Sequence, residues 1–200
     1  MRALTYAGLP ALVLGAVVAC SGPAVITTDD ASAPPAPSPA PAPPTTVRSN
    51  AHLANAFDFA ADVDGQTGYY FTSPSGNWEC AIVPRVHAGC QNARNSARIG
   101  ITGAPAQVPG EDGTPSPPNA VVVQRDGAPR FVALDSPAFG LEDAAAPELP
   151  FNRILAAAGF RCNVQEAVGI SCQSERSGNG FTFSADGFRP GYTDVPPGAP

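Results

Sequence analysis

The chain has 200 residues, with 11 Arg and no Lys against 17 Asp and Glu, a formal net charge of −6, and 24 Pro with 20 Gly. An acidic chain with scattered arginines offers no electrostatic footprint for nucleic acid, and no Lys/Arg run that would draw it to anionic headgroups. The absence of lysine removes the phosphate-loop lysine, Schiff-base chemistry and Ser-x-x-Lys hydrolysis, and neither a cofactor nor a metal is expected.

Arg2 gives the N-terminus a small positive charge, and the 13 residues 7–19 follow without an ionisable group. At about 1.5 Å per residue that stretch falls short of a hydrocarbon core roughly 30 Å thick, so it reads as the apolar region of a signal peptide. Its end, Val17-Val18-Ala19-Cys20, resembles the lipobox of bacterial lipoproteins. The resemblance implies that residues 1–19 are removed, that Cys20 carries palmitate-type acyl chains, and that the remainder sits lipid-anchored on the extracytoplasmic face of the membrane. An ordinary secretory signal, with Cys20 a buried or paired cysteine near the start of the mature chain, is the alternative.

Residues 20–49 read as the lipidated cysteine and a Pro/Ala/Ser/Thr-rich tether. Seven of the eleven residues 34–44 are proline, which fixes φ, removes the backbone donor and gives extended chain that builds no core. The folded part is expected over residues 50–192, with 193–200 a disordered tail. Helical periodicity is weak: residues 52–61 and 151–158 are the candidates, and the second serves equally as a strand. Tyr69-Tyr70-Phe71-Thr72 and Trp78 to Ile82 read as strands about a turn at residues 73–77. The five-proline segment 102–119 reads as a surface loop. Residues 120–124 and 130–134 flank Asp126-Gly127 as a hairpin, and residues 180–184 form a further strand.

Four cysteines follow Cys20: Cys80 and Cys90 are ten apart, as are Cys162 and Cys172. An aromatic precedes each first cysteine by two positions (Trp78, Phe160), and a glutamine follows each second one (Gln91, Gln173). An even count in an exported chain implies disulfides, and an even separation places both cysteines on one face of a hairpin with an odd-length loop. Three connectivities exist, and the equal spacing favours Cys80 with Cys90 and Cys162 with Cys172. The fold expected is therefore mainly β: a small, disulfide-stapled antiparallel domain of hairpins, with a duplicated unit as one form of it, and little helix.

Phe71-Thr-Ser-Pro-Ser-Gly-Asn-Trp-Glu-Cys80, Gly89-Cys90, Leu149-Pro-Phe-Asn, Gly159-Phe-Arg-Cys162, Gly169-Ile-Ser-Cys172 and Gly178-Asn-Gly-Phe181 together resemble a domain of actinobacterial secreted proteins and lipoproteins for which no activity is established. The similarity covers roughly residues 69–192. Trp78 stands where that domain more often has an aliphatic residue, and the middle loop is longer and richer in proline. The resemblance implies export and paired cysteines and names no activity.

Sites for chemistry are sparse. His52 and His87 have no ligand-spaced partner and read as surface or loop residues. Asp62-Val-Asp64-Gly65 faintly resembles a calcium loop but reads as a turn, and the acidic pairs Glu111-Asp112 and Glu142-Asp143 read as solvated loop charges. The segment best placed to contact a partner is Ser73, Pro74, Ser75, Gly76, Asn77 and Trp78, where a rigid turn would present a polar and aromatic patch beside a disulfide. These features describe a cell-envelope lipoprotein acting as a non-enzymatic binding or structural module. A small-molecule or lipid-binding pocket protein is the first alternative, and a hydrolase with carboxylates assembled by the fold the second.

Overall fold

The computed structural model describes residues 50–136, 138–141 and 144–200; the signal, Cys20, the tether and the pair Glu142-Asp143 lie outside them. The described part begins near a 3-10 turn, Ala56–Phe59, capped by the Asn55 side chain accepting from Phe57 N–H. The remainder of the first helix candidate pairs instead: Leu53 bridges Ile154, and Ala60 opens strand β1 (Ala60–Val63). Strands β2 (Gln66–Thr72), β3 (Trp78–Val83) and β4 (His87–Asn92) continue as antiparallel neighbours. The proline-rich loop holds a two-residue ribbon, β5 (Val108–Pro109) with β6 (Pro115–Ser116). Then β7 (Ala120–Gln124) pairs with β4, and β8 (Arg130–Val132) with β7, completing a six-stranded sheet in the order β1-β2-β3-β4-β7-β8.

The second sheet is a five-stranded antiparallel meander: β9 (Ile154–Ala157), β10 (Phe160–Gln165), β11 (Gly169–Ser174), β12 (Gly180–Ser184) and β13 (Gly187–Pro190). The second helix candidate is thus β9. Its Ile-Leu pair fits a pleated surface, and its partner β10 offers a complete ladder.

Both sheets are organised around the same unit. Cys80 stands directly opposite Cys90, and Cys162 opposite Cys172; each pair is disulfide-bonded with Cα atoms 4.1 Å apart, close to the spacing of the tighter, non-hydrogen-bonded rung of an antiparallel ladder. Val83 opposes His87 and Gln165 opposes Gly169, which leaves a three-residue turn in each hairpin, the odd length that the even cysteine spacing requires. The inner faces meet in one core, Phe71, Ile82, Val121 and Val123 against Leu155, Val164, Phe181 and Phe183, with both disulfides wholly buried in it. Packed side chains fill the space between the sheets, so this is a β-sandwich stapled on both sides of its core.

A further layer covers each sheet. On the six-stranded sheet the segment after β8 lays Phe139, fully buried, over Tyr70, Ala81, Ala120 and Val122. Gly89 leaves the space it occupies, since a Cβ there would lie 2.5 Å from the Phe139 ring. Gln91 fixes this strap: Oε1 accepts from the N–H groups of Ala138 and Phe139 at 3.1 and 3.2 Å, and Nε2 donates to Glu79 Oε2 at 2.9 Å.

On the five-stranded sheet the covering segment is the C-terminal chain, which corrects the expected disordered tail. Asn163 and Gln165, buried on the outer face of β10, donate to Thr193 O at 2.9 and 3.1 Å, and Val195 is only 2% exposed. Proline removes donors from a segment but leaves its carbonyls, and these amide side chains need acceptors.

Candidate functional site

The turn at residues 73–77 is a closed structural unit. Ser73 N–H donates to Trp78 O, Ser73 O accepts from Gly76 N–H, and the Ser73 hydroxyl accepts from Trp78 N–H at 3.2 Å. Gly76 takes φ +63°, which glycine adopts without strain. Trp78 is 8% exposed and meets Phe183 edge to face at 4.8 Å, so it belongs to the core. The expected contact patch therefore loses its aromatic. Trp78 begins β3 on the same face as Cys80, and that alternation turns it inward. Pro74, Ser75, Gly76 and Asn77 remain as a partly exposed turn.

His52 lies in the entry turn, as expected of a loop residue, but is buried, and His87 is half-buried on the outer face of β4; among the described residues the Nε2 atom of each is buried without a hydrogen-bond partner. His87 meets the Phe139 ring at 5.4 Å, and burial, reinforced by the Arg130 charge, holds its pKa below the ordinary 6.5. Asp64 and Gly65, both with positive φ, form the two-residue turn between β1 and β2. Asp112 accepts from the N–H and hydroxyl of Thr114, bonds that lower its pKa within the β5–β6 turn.

The feature that the sequence did not disclose lies at the other end of β3. Turns from both sheets converge there on a cavity of about 430 Å³ lined by Tyr69, Pro84, Arg85, Arg125, Ala158, Gly159 and Arg176. Arg85 comes from the β3–β4 turn, Arg125 from the end of β7, Ala158 and Gly159 from the β9–β10 turn, and Arg176 from the β11–β12 connection. The sheets are tied at this end by Ser174 Oγ donating to Arg125 O at 2.7 Å and by the exposed pair Arg176–Asp126 at 2.6 Å. Arg98, Arg130 and Arg189 each line a different cavity singly.

Backbone strain is concentrated at the same place. Among the described residues four that are not glycine have positive φ: Asp64, Arg85, Asn152 and Ala158. Asp and Asn tolerate this region because their short polar side chains bond locally; Arg and Ala gain nothing there, and each costs about 1–2 kcal/mol. Arg85 (φ 65°) and Ala158 (φ 50°) both line the cavity. The turn closed by Val86 N–H to Val83 O at 3.1 Å, with Pro84 first and Arg85 second of its central residues, puts an arginine where glycine is the usual choice.

The fold and site define an antiparallel β-sandwich with a stapled core and an arginine-lined cleft between its hairpin turns. Comparison with known proteins gives no matching family model, no matching curated protein and no matching solved structure.

Proposed function

We propose that the chain is a non-enzymatic binding module of the cell envelope, lipid-anchored through Cys20, whose ligand surface is the hairpin end of the sandwich. The observation that carries the reading is the strained, arginine-bearing turn at Arg85. Strain held by a rigid scaffold concentrates at sites where a side chain must be presented, and β3 and β4 are stapled five residues behind that arginine by Cys80–Cys90. The lipobox-like sequence and the resemblance to secreted domains support display outside the membrane. The filled space between the sheets favours a ligand at the end of the sandwich over one within it.

Site-specific photocrosslinking in intact cells tests this. A photoreactive residue at Val86, exposed beside Arg85, is expected to capture envelope material, whereas one at Ser75, at the opposite end of β3, is not. Adducts from Ser75 alone, or from neither position, would refute the proposed surface. For the anchor, a fatty-acid analogue should label the wild type and leave Cys20→Ala unlabelled.

A further inference from the structure

The chemistry of the cleft says what kind of group it takes, and we infer that it is a binding site for a phosphate monoester or an equivalent dianion. This rests on the binding-module reading and goes on to name the ligand class. Three arginines line the cavity, and the carboxylate paired with one of them, Arg176, is Asp126. Three positive charges with one negative leave two, which a dianion neutralises and a single carboxylate does not.

Among the described residues the Arg85 and Arg125 side chains have no hydrogen-bonded or ionic partner, so their donors are free for an incoming group. By contrast Arg161, buried on the outer face of β10, is engaged by Glu175 and Asn50. The guanidinium fork matches the oxygens of a phosphate in a bidentate manner, with hydrogen bonds strengthened by charge. Half-buried Tyr69 and Pro84 line the same cavity and suit a carrier with some apolar surface, and a chain of net charge −6 makes this clustering of positive groups a local exception.

The test is calorimetric titration of the full-length chain in a non-ionic detergent with inorganic phosphate, at a mildly alkaline pH where it is mostly dianionic, and with acetate. Saturable binding of phosphate, weakened by salt and not reproduced by acetate, is expected. Arg85→Gln and Arg125→Gln should each weaken it about tenfold, the size of one lost charge-assisted hydrogen bond. Arg94→Gln, outside the cleft, should leave it unchanged. Competition by glycerol 3-phosphate against glucose 1-phosphate distinguishes a lipid-headgroup source from a sugar-phosphate source. Absence of saturable phosphate binding, or its persistence in the double variant Arg85→Gln/Arg125→Gln, overturns the assignment. If Val86 captures material while phosphate fails to bind, the ligand class is wrong and the binding-module reading stands.

Discussion

The two sheets are built alike on the inside and differently on the outside. Each carries a hairpin with a cysteine pair on opposite positions, an aromatic two residues ahead that points into the common core, and a glutamine after the second cysteine that lies on the outer face. Outside, the six-stranded sheet presents Tyr70, Ala81, Ala120 and Val122 to Phe139, while the five-stranded sheet presents Asn163, Gln165, Ser171 and Thr182 to the C-terminal chain. One covering layer is held by excluding water from apolar surface, the other by pairing polar groups. The costs of uncovering them differ accordingly, because water replaces a hydrogen bond and does not replace an apolar contact.

Removing the Phe139 ring should give the largest effect. Phe139→Ala empties the socket over Gly89 and is expected to cost about 3–5 kcal/mol in denaturant unfolding. Ending the chain after Gly191, which takes away Thr193 and Val195, should cost less, about 2 kcal/mol, because Asn163 and Gln165 become hydrated. A truncation as costly as Phe139→Ala would mean that the two outer layers are held by the same kind of force.

Replacing Cys80 and Cys90 together by alanine should cost about 3 kcal/mol, and the same change at Cys162 and Cys172 a similar amount, since each bond closes a loop of equal length. A large inequality would show that the hairpins, alike in sequence spacing, are not equivalent staples.

The smallest effect is a pH dependence confined to the apolar cover. The folded-state pKa of His87 lies below its ordinary 6.5, so the fold favours the neutral ring. Stability from this group is complete above 6.5 and is lost as pH falls from there toward the lower folded value, because the unfolded chain takes up the proton first. The melting temperature should fall on acidification in the wild type and fall less in His87→Asn. Arg130→Gln should also shallow the slope by removing the charge that opposes protonation. Equal slopes in all three would remove His87 from the account.

What could be read beforehand was what depends on near neighbours in the chain. The alternation of Trp78 to Ile82 gives a strand, the ten-residue cysteine spacing gives the stapled hairpin, and Gly180 to Ser184 marks β12 as found. The covering layers were hidden because Phe139 lies in a segment with no regular structure, and because the C-terminal prolines suggest chain without partners while their neighbours' carbonyls still accept bonds. The arginine cleft was hidden for a related reason. Arg85, Arg125 and Arg176 are far apart in sequence, and each occupies a turn whose place is set by a different strand pairing. Scattered in the chain, they gather at one end of the sandwich; a rare arginine in the second central position of a turn after proline was the one local signal available. Trp78 misled in the opposite direction, since an aromatic beside a turn resembles a surface anchor until the strand's facing is known.

Ligand binding is proposed to belong to the arginine end of the sandwich and not to the turn at residues 73–77. Hydrogen exchange of the full-length chain with and without inorganic phosphate tests it most directly. Protection should rise in the turns holding Arg85, Arg125, Ala158 and Arg176 and stay unchanged at Ser75 and Gly76; protection rising at Ser75 and Gly76, or at none of these turns, would contradict it.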